Sequence, residues 1–247
     1  MLNACYILHR RAYRESSLLL DVFTYQQGKV SILAKGAYKS KSALSAQLQP
    51  FQPLLLDWSG GSNLKTMTKL EAPRPAIKLH GLSLYAAMYI NELLYRLLQE
   101  GQAMFDLFEA YITALDSLSQ VSDVESPLRM FEARLLYALG LMPDLECDWR
   151  GNPIDSAQAY YLSGDGHLVS AKGVGIPSES AMSASDLSCL LDILSGAGTF
   201  VREDSSESVG RNRAVKGFLR GLIDQALDGR QLQSRELVRQ FIKQRQA

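Results

Sequence analysis

Seven cations crowd the first 41 residues: Arg10, Arg11, Arg14, Lys29, Lys35, Lys39 and Lys41. Tyr6, Tyr13, Phe23, Tyr25 and Tyr38 are interleaved with them. This pairing suits nucleic acid. Lys and Arg neutralise phosphates and release their counterions, and exposed rings offer faces on which bases stack. Phe23 lies in an apolar run and is expected in a core. Tyr38 lies in the polar stretch Lys35-Gly36-Ala37-Tyr38-Lys39-Ser40-Lys41-Ser42 and is expected at the surface.

Residues suited to bond-breaking chemistry are sparse. The chain lacks GxxxxGK[ST], GxSxG and HExxH patterns and has no GxGxxG after a strand. His9, His80 and His167 are isolated, and Glu203-Asp204 sits in a serine-rich turn that reads as solvated. The expectation is a protein with no catalytic residue and no cofactor. Cys147-Asp-Trp-Arg150-Gly151 has the outline of half a zinc knuckle, but Arg150 stands where a second cysteine is needed. A closed zinc site takes four Cys/His-type ligands, and Cys147 with His167 supplies two. No metal is expected there, and packing by Trp149, Tyr160 and Tyr161 is expected to hold the segment. Three widely spaced cysteines, Cys5, Cys147 and Cys189, suit a reducing compartment. With no apolar run long enough to span a bilayer and charges placed after the first apolar residues, the expected location is cytoplasmic.

The elements that must position these residues are legible from their period. CYILHRRAY, SLLLDVFTY, KVSILAKGA, LLLDW and LKTMTKLEA read as five short strands. Gln26-Gln27-Gly28-Lys29 reads as a hairpin turn with Gly28 at positive φ. Five strands in about 75 residues fit a small closed barrel, of oligonucleotide-binding (OB) or SH3-like type. After Pro73-Arg74-Pro75 the period becomes helical, in LSLYAAMYINELLYRLLQ, FDLFEAYITALDSL and PLRMFEARLLYALG, which read as an antiparallel bundle. Ala159–Leu162 and His167–Ser170 flank a Gly-Asp-Gly turn as a small hairpin. Helices resume at about 184–195, 209–227 and 234–244, the last with Ser234 as its expected N-cap. The fold class is thus α+β and multidomain: a five-stranded OB-like barrel (1–76), a helical bundle (77–142), a degenerate zinc-finger-like insertion without a cysteine quartet (143–182) and C-terminal helices (183–247).

A net charge of zero conceals strong segregation. Residues 1–80 carry 11 Lys/Arg against 4 Asp/Glu, residues 81–210 carry 6 against 19, and residues 211–247 carry 9 against 3. Basic ends flanking an acidic body suggest that the ends meet an anionic partner.

The series Glu15-Ser16-Ser17-Leu18, Asp21-Val22-Phe23-Thr24, Ala34-Lys35-Gly36-Ala37 and Leu48-Gln49-Pro50-Phe51 resembles, in order, the RecO family of bacterial recombination mediators. Tyr89-Ile90-Asn91-Glu92-Leu93-Leu94, Arg129-Met130-Phe131-Glu132 and Ser234-Arg235-Glu236-Leu237 extend the likeness over nearly the whole chain. The resemblance implies an OB domain, a helical body and a zinc-finger-like insertion. The implied activity is DNA repair in the RecF pathway: binding single- and double-stranded DNA, annealing complementary strands, and helping to load RecA recombinase on DNA coated by single-strand-binding protein. RecR and the C-terminal tail of single-strand-binding protein are implied partners, in the cytoplasm at the nucleoid. For that acidic, apolar tail, Arg129 and Arg134 are the candidate receptors, because cations are scarce in the helical body. Two other classes compete: an adaptor whose barrel binds protein, and a metal-dependent nuclease built from scattered carboxylates.

Overall fold

The computed structural model describes residues 1–38, 43–61, 64–120, 123–172, 181–197 and 206–246. Lys39, Lys41, Glu203 and Asp204 lie outside them. The chain divides into two compact units: residues 1–122 with 232–247, and residues 123–231.

In the first unit, β1 (Asn3–Tyr13), β2 (Ser17–Thr24), β3 (Gly28–Ala34), β4 (Leu54–Ser59) and β5 (Leu64–Glu71) close into a barrel of order β1-β2-β3-β5-β4. Parallel pairing of β3 with β5, and antiparallel pairing of β4 back onto β1, give the barrel its OB-like connectivity. β2 is mostly apolar and buried along almost its whole length, whereas β3 alternates. β3 buries Gly28, Val30, Ile32 and Ala34 and turns the residues between them outward. Ile7, Leu18, Leu20, Val22, Leu54 and Leu56 fill the rest of the interior. The short helix α1 (Ala43–Gln47), an element hidden from the sequence by the polar stretch before it, packs Leu44 against that core and leads to the buried Leu48.

Helices α2 (Leu82–Leu97) and α3 (Phe105–Gln120) pack together, and α2 lies on β1. Asn91, buried on α2, donates from Nδ2 to the Ile7 and Leu8 carbonyls (3.1 and 3.4 Å) and accepts from Tyr111 Oη at 2.8 Å. The last helix, α7 (Gln233–Gln246), returns to α2. Its N-terminus is capped from outside: the Glu92 carboxylate accepts from the backbone N–H groups of Gln233 and Ser234 and from Ser234 Oγ, at 2.7–3.0 Å. The expected N-cap Ser234 is therefore buried within the first turn, and a carboxylate facing the positive end of the helix dipole takes its role.

The second unit holds α4 (Glu125–Ala138), the hairpin β6 (Ala159–Leu162) and β7 (Leu168–Ser170), β8 (Met182–Ser183), α5 (Ala184–Ser195) and α6 (Ser206–Ala226). The small sheet runs β7-β6-β8. A capping box between Ser183 and Asp186 starts α5. Within this unit α4 packs with α5 and α6. Among the described residues, no helix is long and apolar enough to cross a membrane.

Candidate nucleic-acid interface

The seven N-terminal cations separate by environment. Arg10 donates from Nη1 to the Leu48 carbonyl at 2.9 Å, tying β1 to the segment after α1. Lys29 donates to the Tyr95 carbonyl at 3.0 Å, with its ammonium 5.7 Å from the Tyr95 ring. Burial against α2 lowers the Lys29 pKa, opposed by the nearby carboxylates of Glu100 and Asp21. These two cations mainly hold the first unit together. Arg11, Arg14 and Lys35 are exposed.

Arg14 and Lys35 converge on one end of the barrel, and Arg11 stands on β1, which leads there. Tyr13 pairs with Ser17 and Leu18 with Ala34, so the turn after β1 and the segment after β3 leave the sheet side by side. The Tyr38 N–H donates to the Ser16 carbonyl at 2.9 Å and clasps the two segments. Between them lies a shallow concavity lined by Tyr13, Arg14, Glu15, Ser16, Ser17, Leu33 and Lys35, so one carboxylate stands beside the two cations. Arg14 adopts φ 54°, a left-handed conformation that costs an L side chain about 1–2 kcal/mol. Its guanidinium rests 5.3 Å from the Tyr13 ring centroid. Tyr38 is 50% exposed beside this patch, and the chain then runs on toward Lys39 and Lys41. The arrangement offers two exposed cations and one open ring at the same end of the barrel.

The other aromatics have a different role. Tyr6 and Phe23 are buried and, with Tyr25, meet Phe105, Phe108 and Tyr111 of α3 at centroid distances of 4.9–6.2 Å. They attach the barrel to α3, and of the five aromatics Tyr38 is exposed and Tyr13 half-exposed.

In the second unit Arg129 is only 6% exposed, and its Nη1 stands 2.6 Å from Glu132 Oε2. Arg134 is half-buried, one turn before the exposed Tyr137. Trp149 is 56% exposed, so it does not pack the 147–153 turn as expected. Asp148 holds that turn instead, accepting from the N–H groups of Arg150 and Asn152 and from the Asn152 amide. These bonds hold the Asp148 pKa below the ordinary carboxylate range. Tyr160 is buried, with its hydroxyl accepting from the Asp155 N–H at 2.8 Å. Among the described residues, no group of three or more His, Cys, Asp or Glu could hold a metal ion.

The family descriptions "Recombination protein O N terminal" and "Recombination protein O C terminal" match residues 1–75 and 80–236. The chain belongs to the RecO family. A DNA repair protein RecO of Vibrio cholerae is 39% identical over 97% of this chain and 94% of its own length. Those of Vibrio vulnificus and Sodalis glossinidius are 37% and 40% identical, over 99% and 97% of this chain and 94% and 88% of theirs. Membership in this DNA repair family agrees with the OB-like barrel and with the helical region after it. The boundary between the two matched segments falls just past Pro73-Arg74-Pro75, where the strand period ends.

Proposed function

We propose that this RecO-family chain binds single- and double-stranded DNA through the barrel end that carries Arg14, Lys35 and Tyr38, with Arg11, Lys39 and Lys41 as further DNA contacts. The observation that carries the reading is the clasp between Tyr38 and Ser16, which gathers exposed cations from two strand ends around one open ring. Annealing follows from charge: cations on the barrel reduce repulsion between two phosphate backbones while the base edges stay free to pair. In the cell this activity would serve gap repair, with RecR, on DNA coated by single-strand-binding protein and ahead of RecA loading.

The test is strand annealing and DNA affinity with Arg14→Glu/Lys35→Glu. Each lost phosphate contact lowers the salt dependence of duplex affinity by about 0.9 in log–log slope. The double variant should therefore bind at least tenfold more weakly near physiological salt and with a flatter slope. Unchanged annealing at moderate salt would move the DNA site elsewhere and favour the protein-binding adaptor. Incubation of the protein with labelled DNA and Mg²⁺ tests the nuclease reading, which needs sustained cleavage.

For the tail of single-strand-binding protein, Arg134 is the better receptor of the two candidates. It is partly accessible beside Tyr137, whereas Arg129 is engaged with Glu132. Arg134→Glu should weaken capture of the tail peptide in a titration without lowering the melting temperature. Equal affinity in wild type and variant would remove Arg134 from the contact.

A further inference from the structure

A groove of about 720 Å3 opens in the first unit between β1, the segment after α1, and the helices α2 and α7. Its volume falls in the range of small-ligand sites. Phe51, Leu84, Met88 and Leu237 line it with apolar surface, and Arg10 and Arg96 also border it. Its one carboxylate, Glu92, is already engaged with the N-terminus of α7 and stands 3.7 Å from Arg96. The groove therefore pairs an apolar wall with positive charge, and the amides of Gln49 and Gln233 lie among its lining groups.

One feature of the groove calls for an acceptor. Arg96 Nε is shielded from solvent and has no hydrogen-bond partner among the described residues. A buried N–H without an acceptor is costly, and one that persists calls for a bound group, ion or water. Arg10 likewise has only one of its five donors engaged in a described hydrogen bond, the one to Leu48.

We propose that this groove receives an unstacked nucleotide of single-stranded DNA, with the base against Met88 and Leu237 and a phosphate on Arg96 and Arg10. A nucleotide matches the lining in both parts, a flat apolar ring and an anion. β1 supplies the continuity: Arg10 lines the groove, Arg11 follows it on the exposed surface, and the same strand ends at Tyr13, next to Arg14 of the patch. A base can enter only when it is unpaired, so the groove would favour single strands over duplex, which the barrel patch alone does not do. The inference rests on the DNA-binding reading above and adds the base-holding part of that site.

The experiment uses the full chain and an oligothymidylate carrying one 2-aminopurine, against a blunt duplex of equal length. Arg96→Gln removes the donor, and Leu237→Trp fills the groove from an exposed position, so it is expected to fold. Both should lower single-strand affinity about tenfold, the worth of one stacked base, leave duplex affinity unchanged, and abolish the fluorescence change of 2-aminopurine. Unchanged single-strand affinity in both variants overturns the proposal, as does an equal loss for single strand and duplex. Loss of affinity for an acidic, apolar-ended peptide with single-strand binding intact also overturns it, making the groove a protein-docking site. Arg14→Glu/Lys35→Glu separates the two readings: if it leaves DNA binding intact while the groove variants do not, the patch fails and the groove stands.

Discussion

Single residues carry much of the first unit's architecture, and Asn91 is the clearest case. Its amide satisfies two β1 carbonyls and the Tyr111 hydroxyl at once, inside a region from which water is excluded. Asn91→Leu keeps the volume but strands several buried polar groups, each costing about 1–3 kcal/mol. Chemical denaturation should show a loss of about 3 kcal/mol, against about 1 kcal/mol for Tyr111→Phe. Gly28 is constrained twice. It sits at φ 63°, and a Cβ there would lie 1.8 Å from the Gln102 carbonyl oxygen. Gly28→Ala should destabilise by about 3 kcal/mol or more, and thermal melting of the pure variant would report it. The positive φ was legible in the sequence from the Gln-Gln-Gly-Lys turn. The close approach of residues 100–102 was not, because it depends on a connection more than 70 positions away. The same limit applied to the cations. Arg10, Lys29, Arg14 and Lys35 look equivalent in composition, and only α2 and the segment after α1 divide them into structural and exposed pairs.

Elements are held by caps and turns whose partners come from elsewhere in the chain. The five strands, the hairpin and the long helices could be read from period because alternation and helical spacing are local properties. The Glu92 cap on α7 could not, since it joins residues about 140 positions apart. Glu92→Ala should release the start of α7 and raise amide hydrogen exchange over 233–240, with little change in the barrel strands. The 147–153 turn gives a pH-dependent counterpart. Asp148 has a lowered pKa in the folded chain, first through its bond from the Asn152 side chain and then through the backbone N–H groups of Asn152 and Arg150. A carboxyl with a depressed folded pKa contributes stability that is present above its unfolded pKa, about 3.9, and is lost as pH falls through the folded value. The turn should therefore persist at pH 5 and loosen only in strong acid. Trp149, exposed with Arg150 stacked 4.8 Å from its ring centroid, reports it by fluorescence in a Trp58→Phe background. A turn that opened between pH 5 and 6 would show that Asp148 does not hold it.

At the scale of the molecule, folding turns three charge blocks into two. Because residues 232–247 join the first unit, that unit carries 16 Lys/Arg against 10 Asp/Glu, a net of +6, and the second carries 10 against 16, a net of −6. The end of the basic tail, with four of its nine cations, thus belongs to the same body as the basic barrel. Its side chains differ in how available they are for direct contact. Arg235 lies over the Tyr89 ring at 5.6 Å, and Arg239 pairs with Glu236 at 3.5 Å. Their main contribution to a polyanion is then the field they add to the first unit, which acts on the rate of encounter more than on the lifetime of the complex. Arg235→Gln/Arg239→Gln/Lys243→Gln lowers the net charge of that unit from +6 to +3. Stopped-flow association with a labelled duplex should slow severalfold at low salt, with dissociation nearly unchanged. The difference should vanish at about 0.5 M salt, where the screening length shrinks to roughly 4 Å. Faster dissociation at every salt concentration would instead place these side chains on the phosphates and extend the DNA path from the barrel onto α7.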